Sequence, residues 1–218
     1  MKLNQTLLQS GALALTCAAT LMFTGCASTP ADRAANMASS VVQTGQQLEA
    51  NRTAVSQVLT TLNQLVTQPS GDMRSQYKDY LNSVKKLDGI SAKVGNAIDS
   101  MVADSQVYFA DWSNQVAAIS DPTLKQLSAD RRGKAVASLS NLKASMAQAR
   151  ASYQPLAKDL NDIGLYLGNN LTADGIAAMK PRLDAIKVEA VGVRDSLSNV
   201  AQNLTQFSTT LATPAPTK

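Results

Sequence analysis

The sequence predicts an all-α protein, arranged as an elongated antiparallel up-down-up-down four-helix bundle or coiled coil. Apolar residues recur at alternating spacings of three and four along most of the 218 residues, which is the period of a helix and not of a strand. Aromatic residues make up only 4% of a chain rich in Ala and Leu, and this composition favours helices over sheets. Turn-forming clusters divide the chain into four such stretches, which gives the number of helices.

The third and fourth stretches show the spacing most regularly. The apolar residues that carry it are, in the third stretch, Ala135, Leu139, Leu142, Met146, Ala149, Tyr153, Leu156, Leu160, Ile163 and Leu167, and in the fourth, Ile176, Met179, Leu183, Ile186, Ala190, Val193, Leu197, Val200, Leu204, Phe207 and Leu211. Such a repeat is typical of helices whose side chains pack knobs-into-holes along a seam. We therefore expect these two helices to form the best-packed part of the bundle.

The first two stretches are less regular. The second places Ser91 and Ser105 on a seam whose apolar members are Tyr77, Tyr80, Val84, Leu87, Val94, Ile98, Met101, Tyr108, Trp112 and Ile119. The first stretch has Val41, Leu48, Val55 and Leu62 at strict sevens among Ser, Thr, Gln and Ala. We expect the first helix to bury the least apolar area and to be the helix that exchanges with a partner.

Residues at the predicted boundaries have the properties that helix ends require. Residues 68–72 form a turn cluster, Asp121-Pro122 supplies a cap followed by proline, and Thr172 can cap the last helix. The predicted helical domain spans 33–212, and residues 213–218, which contain two prolines, form a disordered tail. Pro155 and Pro181 fall off the seams, so we expect both to point outward and to kink their helices.

The N-terminus is read as a targeting segment. Lys2 precedes an apolar run from Gly11 to Phe23, which matches the core of a secretory signal and is shorter than the ~20 residues of a membrane-spanning helix. Thr24, Gly25 and Cys26 follow, and this sequence resembles the lipobox of bacterial lipoproteins, in which the cysteine is lipidated and becomes the new N-terminus. We predict a signal peptide over 1–25, cleaved between Gly25 and Cys26, and a tether over 26–32.

Other interpretations of this segment are an ordinary signal peptide cleaved elsewhere, an uncleaved anchor helix, or a buried core cysteine. Cys17 is a poorer candidate for lipidation, because Thr16 before it is not Gly, Ala or Ser. The lipobox resemblance implies that acyl chains on Cys26 hold the protein to membrane lipid. Ala27 after the cysteine implies sorting to the outer membrane, facing the periplasm of a Gram-negative cell.

Composition argues against several function classes. The chain has no histidine, which is the commonest general base and metal ligand, so we predict a non-enzyme with no cofactor and no metal. The net charge of +4 comes from scattered residues, so no nucleic-acid partner is expected. Arg131, Arg132 and Lys134 form a short basic group that could touch anionic lipid or peptidoglycan, and a solvated surface is the favoured interpretation. Asp159 and Asp162 are likewise read as a solvated face.

The aromatic group at 108–112 is the candidate interaction surface. Tyr108 and Trp112 fall on the predicted seam, where core packing is the favoured interpretation, and Phe109 falls off it. We predict Phe109 and Trp112 as the possible partner or ligand surface, suited to a sugar or a peptide. The polar residues Ser91 and Ser105 on an apolar seam suggest instead a ligand in a gap of the bundle, which requires a cavity beside Trp112. Gly164 and Gly168 form a GxxxG that either lets neighbouring backbones approach or ends the helix.

The sequences "YFADW" at 108–112 and "ASYQPLAKDLNDIGLYLGNNLTADGIAAM" at 151–179, with the regular final helix, resemble a bacterial, mostly proteobacterial, lipoprotein family catalogued as a domain of unknown function (number 2959). The resemblance implies a coiled, lipidated protein and no assigned activity. The predicted function is therefore a non-catalytic outer-membrane lipoprotein, a periplasmic scaffold or adaptor that acts through helix–helix contacts with an envelope protein or a second copy. The alternative is a binding module for a small ligand or cell-wall polymer.

Overall fold

The computed structural model describes residues 30–212. The described chain consists of α1 (Pro30–Thr67), α2 (Met73–Ala118), α3 (Pro122–Asn169), the short α4 (Ala173–Ala177) and α5 (Lys180–Ala212). Within this part of the chain the remaining residues form short turns and no strand occurs, which confirms the all-α prediction. The first helix begins three residues before the predicted start at 33. Residues 1–29, with the predicted signal peptide and Cys26, and the tail 213–218 lie outside the described residues.

The helix ends lie at the predicted boundaries, and Asp121 and Thr172 are capping residues as predicted. The side chain of Asp72 accepts a hydrogen bond from the backbone N of Ser75, and Asp121 accepts one from Leu124 with Pro122 at the first helical position. Thr172 caps α4 by accepting from the backbone N of Gly175 at 3.1 Å. Each of these side chains satisfies a backbone donor that has no partner within its helix.

The predicted continuous fourth helix is broken, which corrects the sequence interpretation. Two turn residues, Ala178 and Met179, separate α4 from α5, and the backbone N of Met179 bonds to Ile176 in a tightened turn. Pro181 has no N–H to donate, and its ring crowds the carbonyl four residues earlier, at Ala177. By contrast, α3 continues through Pro155, which is exposed, because one lost hydrogen bond in a long helix is tolerated.

The long helices contact one another in a closed order: α1 with α2, α2 with α3, α3 with α5, and α5 with α1. Across these interfaces, later residues of one helix contact earlier residues of the next helix. Between α2 and α3, Tyr77 bonds to Gly164 and Arg132 bonds to Phe109. Between α1 and α2, Thr61 meets Ser83 and Arg33 pairs with Asp111. In both pairs the order of the contacts is reversed, and the molecule is a helical bundle.

A single apolar core runs through this bundle. In α3 and α5 it contains nearly the whole predicted seam, with Ala135, Leu142, Leu167, Ile186, Ala190, Val200 and Phe207 fully buried. The expectation that α1 buries the least apolar surface is wrong. Among the described residues α1 buries nine apolar side chains against seven in α2, because Val58, Leu65 and Val66 join the residues at strict sevens.

Two ends of the bundle can be distinguished. We call the end that holds Arg33, Asp111 and Leu211 the tether end, because Cys26 precedes the start of α1 by only four residues. The opposite end, with the turns at 68–72 and 170–172, is the far end.

Candidate functional site

Two of the four predicted site residues lie in the part of the chain that the structure describes. Gly25 and Cys26 lie outside the described residues, while Phe109 and Trp112 both lie on α2 at the tether end. The structure therefore brings the predicted aromatic surface to the same end of the molecule as the start of α1. Arg33, three residues into α1, forms an ion pair with Asp111, which lies between the two aromatic residues.

The prediction that Phe109 lies off the core is wrong. Phe109 is 5% exposed and packs edge-on against Phe207 of α5, with ring centroids 6.4 Å apart. The seam of α2 proceeds from Met101 through Ser105 to Phe109 in two steps of four, so Tyr108 moves toward the edge of the core. Phe109 therefore stabilises the bundle and offers no free surface to a partner.

Trp112 remains half-buried at the edge of the core. Its indole Nε1 donates to Ser128 Oγ at 2.9 Å, and its ring lies 5.7 Å from that of Tyr108. The Arg131 guanidinium stands over the indole at 5.4 Å. Trp112 thus fastens the end of α2 to the start of α3, and only one side of it faces solvent.

The two arginines of the basic group have structural partners. Arg131 Nη2 donates to the carbonyl of Leu211 at 2.8 Å, and Arg132 Nε donates to the carbonyl of Phe109 at 2.8 Å. The first contact supplies a hydrogen-bond donor and a positive charge to carbonyls in the last turn of α5, where the helix dipole favours a cation. Neither arginine is a freely solvated charge, in contrast to the interpretation made from the sequence.

Beyond these contacts, the α2–α3 hairpin extends past the other helices. Residues 113–130, which we call the hairpin tip, are exposed or half-exposed at every position. The tip is held together by Lys125 Nζ, which donates to the Ala117 carbonyl at 3.2 Å, and by the Asp121 cap. It carries Leu124 and Leu127, which are 57% and 44% exposed.

The middle of the bundle contains a polar layer. Asn51 of α1 is buried and its Nδ2 donates to Ser91 Oγ at 3.2 Å, while Asn51 Oδ1 has no partner. These residues line a cavity of about 40 Å³, which is water-sized. Ser105, the other polar seam residue, is fully buried and donates to the Met101 carbonyl at 2.7 Å. A ligand larger than one or two waters does not fit in this layer.

A larger opening lies on the outside, between α1 and α2. This groove has a volume of about 410 Å³, and its walls are amide, hydroxyl and charged side chains: Gln57, Thr61, Gln64, Gln76, Asp79, Asn82, Ser83 and Lys86. Its floor is the hydrogen bond of 2.8 Å between Thr61 and Ser83. The groove can offer many hydrogen bonds to a polar ligand and has no aromatic ring to stack against one.

The far end is held by tyrosine hydroxyls. Tyr77 donates to the carbonyl of Gly164 at 2.8 Å, and Tyr80 donates to the carbonyl of Leu160 at 2.5 Å. A Cβ on Gly164 would meet Leu81, and one on Gly168 would meet the Tyr77 hydroxyl, each at 3.0 Å. The GxxxG therefore makes room for side chains of α2. Burial, with a smaller effect of Tyr77, raises the pKa of Tyr80 well above its usual value.

A carboxyl pair joins α3 to α5 nearby. Arg182 forms an ion pair with Asp159, whose side chain is 13% exposed, and Glu189 stands beside them. Burial and then a hydrogen bond with Asp159 raise the pKa of Glu189. Asp162 instead pairs with Lys158 at 2.7 Å on the solvated face. Within residues 30–212 no group of three or more His, Cys, Asp or Glu side chains is placed to hold a metal ion.

The chain is similar to one family of known proteins. The model of the family described as "Protein of unknown function (DUF2959)" matches residues 28–211. The chain belongs to this family. The match confirms the resemblance seen in the sequence, and it covers all of the helical bundle except its last residue. No curated protein and no solved structure matches this DUF2959 member. None of its described helices is long and apolar enough to cross a membrane.

Three features of this DUF2959 member were not predicted from the sequence. The groove is built from polar residues that carry no periodic signal, and the Asp159–Glu189 contact joins positions thirty residues apart on two helices. The hairpin tip did leave a signal. No seam residue was found between Ile119 and Ala135, although α3 begins at Pro122, and such a gap marks a length of helix that nothing covers.

Proposed function

We propose that this protein is an outer-membrane lipoprotein, anchored by acyl chains on Cys26, that holds a helical bundle in the periplasm as a non-catalytic scaffold or adaptor. The observation that carries the proposal is the position of Cys26. It follows a thirteen-residue apolar run after two small residues, Thr24 and Gly25, and lies four residues before a helix that continues directly into the bundle. Lipid on this cysteine would attach the whole bundle to a membrane through a very short tether.

The bundle is proposed to be an elongated up-down-up-down arrangement of four helices, with α4 and α5 together as the fourth. The antiparallel pairs support it, since Thr61 meets Ser83, Tyr80 meets Leu160 and Ser152 meets Ser196 across successive interfaces. Helices of 33 to 48 residues are about 50–70 Å long at 1.5 Å per residue. Such a rod would present its far end at a distance from the membrane.

A non-catalytic role is supported by where the shifted pKa values fall. The tyrosines with raised pKa bond across helices, Tyr80 to the Leu160 carbonyl and Tyr153 to Asp88. Glu189 contacts Asp159 in a different interface. Active sites bring such groups together in one pocket. Here Tyr80, Tyr153 and Glu189 each serve a contact between helices. Lys158, whose pKa is raised by its hydrogen bond to Asp162, is exposed on α3.

The anchor is tested by substituting the two cysteines separately. Cys26→Ser should move the protein from the membrane fraction to the soluble fraction and remove the acyl groups detected by mass spectrometry. Cys17→Ser is the matched control and should change neither result, because Cys17 lies within the predicted signal peptide. Membrane association that survives Cys26→Ser, or is lost with Cys17→Ser, would refute the proposed anchor.

The adaptor role is tested by crosslinking in cells. A photo-crosslinking residue at Val188 or Val191, which are 74% and 54% exposed on α5, should capture a reproducible envelope protein or a second copy. The same residue at the buried Val193 is the control and should capture nothing outside the chain. Absence of any reproducible product from exposed positions on all four long helices would contradict an adaptor.

The polar groove favours a second function, binding of a cell-wall polymer. Its amide and hydroxyl walls suit a glycan or peptide rich in hydrogen-bonding groups. Gln64→Leu with Asn82→Leu should reduce co-sedimentation of the protein with purified peptidoglycan. Gln202→Leu with Gln206→Leu, on the exposed side of α5, is the matched control. Equal sedimentation of both double variants would exclude the groove as the binding site.

A further inference from the structure

We infer that the hairpin tip is a second membrane contact, which docks on the lipid surface and fixes the orientation of the bundle against the bilayer. The inference deepens the proposed function and rests on it, since it takes Cys26 as the primary anchor. It assigns a role to residues 113–130, which lie within the longest part of the described chain in which no residue is buried.

The tip projects past the start of α1. Asp111 is paired with Arg33, and α2 continues from there for seven residues to Ala118, or about 10 Å. From Arg33 back to Pro30, α1 extends only about 4–5 Å in the same direction. The turn between α2 and α3 therefore stands about 6 Å beyond the first residue of α1.

The tether places the lipid surface within reach of the tip. Four Cα–Cα steps separate Cys26 from Pro30, and a fully extended chain covers at most about 14 Å over that length. The acylated cysteine must lie at the boundary between lipid and water. The tip stands about 6 Å beyond Pro30, in the direction of the lipid surface, and so covers part of the ~14 Å that the tether can span. A modest tilt of the bundle then brings the tip to the headgroup region.

The chemistry of the tip suits an apolar contact. Leu124 and Leu127 are three residues apart on α3 and so share one face of the helix, while Ile119 in the turn is half-exposed. Charged residues in the tip are few: Asp121, Lys125 and Asp130. Asp121 caps α3 and Lys125 donates to the Ala117 carbonyl, so neither is directed at a ligand.

The contact should therefore depend on the leucines and not on charge. Arg131 and Arg132, the basic residues next to the tip, are held by the carbonyls of Leu211 and Phe109. The tip itself carries two acids and one base, which gives no attraction to anionic headgroups. Insertion of Leu124 and Leu127 among the headgroups is the interaction that remains.

The test uses the full lipidated protein in vesicles of phosphatidylethanolamine and phosphatidylglycerol. On the proposed processing the mature chain has no free thiol, so Ser120→Cys at the turn introduces the only reactive one. A fluorescent NBD group there should be quenched by nitroxide-labelled lipid and protected from aqueous dithionite. The same probe on Ser70→Cys, exposed at the far end, should be unquenched and unprotected.

Leu124→Asp with Leu127→Asp should lower the docked-to-undocked ratio reported by the Ser120→Cys probe about tenfold or more. Val188→Asp with Val191→Asp, which replaces two exposed valines on α5, is the matched control and should leave the ratio unchanged. Varying the phosphatidylglycerol content should have little effect. Equal probe signals at positions 120 and 70, or a signal that follows lipid charge and ignores the leucines, would overturn the inference.

Flotation of the vesicles separates this result from the anchor. Protein that floats with vesicles but shows no quenching at position 120 refutes the docking of the tip alone. Protein that does not float refutes the lipid anchor on which the inference rests. Protection of the probe from dithionite without quenching by nitroxide lipid would show self-association in place of lipid contact and would also overturn it.

Discussion

The two ends of the bundle are built from different kinds of contact. At the far end, the hydroxyl groups of Tyr77 and Tyr80 bond to backbone carbonyls of α3, and glycines leave room for the rings. At the tether end, aromatic rings pack around Trp112, and arginine side chains reach across to carbonyls of other helices. The far end is joined by tyrosine hydroxyls, while the tether end is joined by long arginine side chains.

The two ends also differ in how much helix lies outside the core. Short turns close the far end, where the hydroxyls of Tyr77 and Tyr80 find partners, although Leu165 of α3 is 71% exposed. At the tether end the hairpin tip extends past the other described helices, and Leu124 and Leu127 remain in solvent. The ends therefore differ in the length of helix left uncovered, and exposed apolar residues occur at both.

The largest expected difference between the two ends is the cost in stability of introducing a charge. Leu160→Asp should cost about 4 kcal/mol or more of the free energy of unfolding, because Leu160 is 2% exposed and a buried carboxylate has no partner there. Leu124→Asp, the same change in the hairpin tip, should cost less than about 0.5 kcal/mol. Denaturant unfolding followed by circular dichroism measures both, and similar costs would remove the distinction between the ends.

The next largest effect is a steric clash between the backbone and an added Cβ atom. Gly175→Ala would place a Cβ on the carbonyl of Asn170, where neither atom belongs to a flexible side chain, and should cost about 2–4 kcal/mol. Gly192→Ala meets nothing within 4 Å in the middle of α5 and should stabilise by about 0.5–1 kcal/mol. Thermal melts of the two variants should move in opposite directions. A neutral Gly175→Ala would show that the connection around α4 can relax.

A smaller effect is expected from removing a single hydroxyl. Tyr80→Phe deletes a buried hydrogen bond to the Leu160 carbonyl and should cost about 1–1.5 kcal/mol. Tyr108→Phe at the tether end removes a hydroxyl that is only partly buried and should cost less than half of that. Equal losses in denaturant unfolding would indicate that the hydroxyl contacts at the far end carry no special weight.

The smallest expected effect is a gain in stability that depends on pH. Because the folded state raises the pKa of Glu189, folding favours the protonated carboxyl, and that preference becomes a loss of stability as pH rises from the unfolded value of about 4.5 through the folded value. Glu189→Gln keeps a hydrogen-bond donor for Asp159 without the proton. It should raise the melting temperature at pH 7 and leave it unchanged at pH 4. An equal rise at both values would contradict the carboxyl contact.

Much of the fold could be predicted from local information. The spacing of apolar residues gave the helices and nearly all of the core of α3 and α5, and Asp121, Pro122 and Thr172 gave boundaries because caps act within one turn of the chain. Pro181 was visible as a weak point, but the same residue type at Pro155 leaves α3 intact. Whether proline breaks a helix depends on what holds the helix on either side, which is tertiary information.

The candidate site was harder to predict for the same reason. Phe109 lies in the core because Phe207 faces it from α5, ninety-eight residues later, and the local spacing around 108–112 allows either phase. The overhang of the hairpin tip depends on the stagger of α2 and α3 against α1, which single helices do not encode. The groove between α1 and α2 exists only once Gln64 and Asn82 are brought together.

The return of the chain to its starting end has a practical consequence. Because Leu211 is held beside Arg131 at the level of Trp112, a reporter fused after Ala212 would, with the proposed lipid anchor, be confined close to the bilayer, where steric shielding and the anchor limit its access. An epitope inserted at Ser70-Gly71 would instead be displayed roughly 50 Å away, the length of α1 from Arg33 to Thr67. Accessibility measured with a terminal tag alone would then describe the crowded side of the molecule and underestimate how much of it is open.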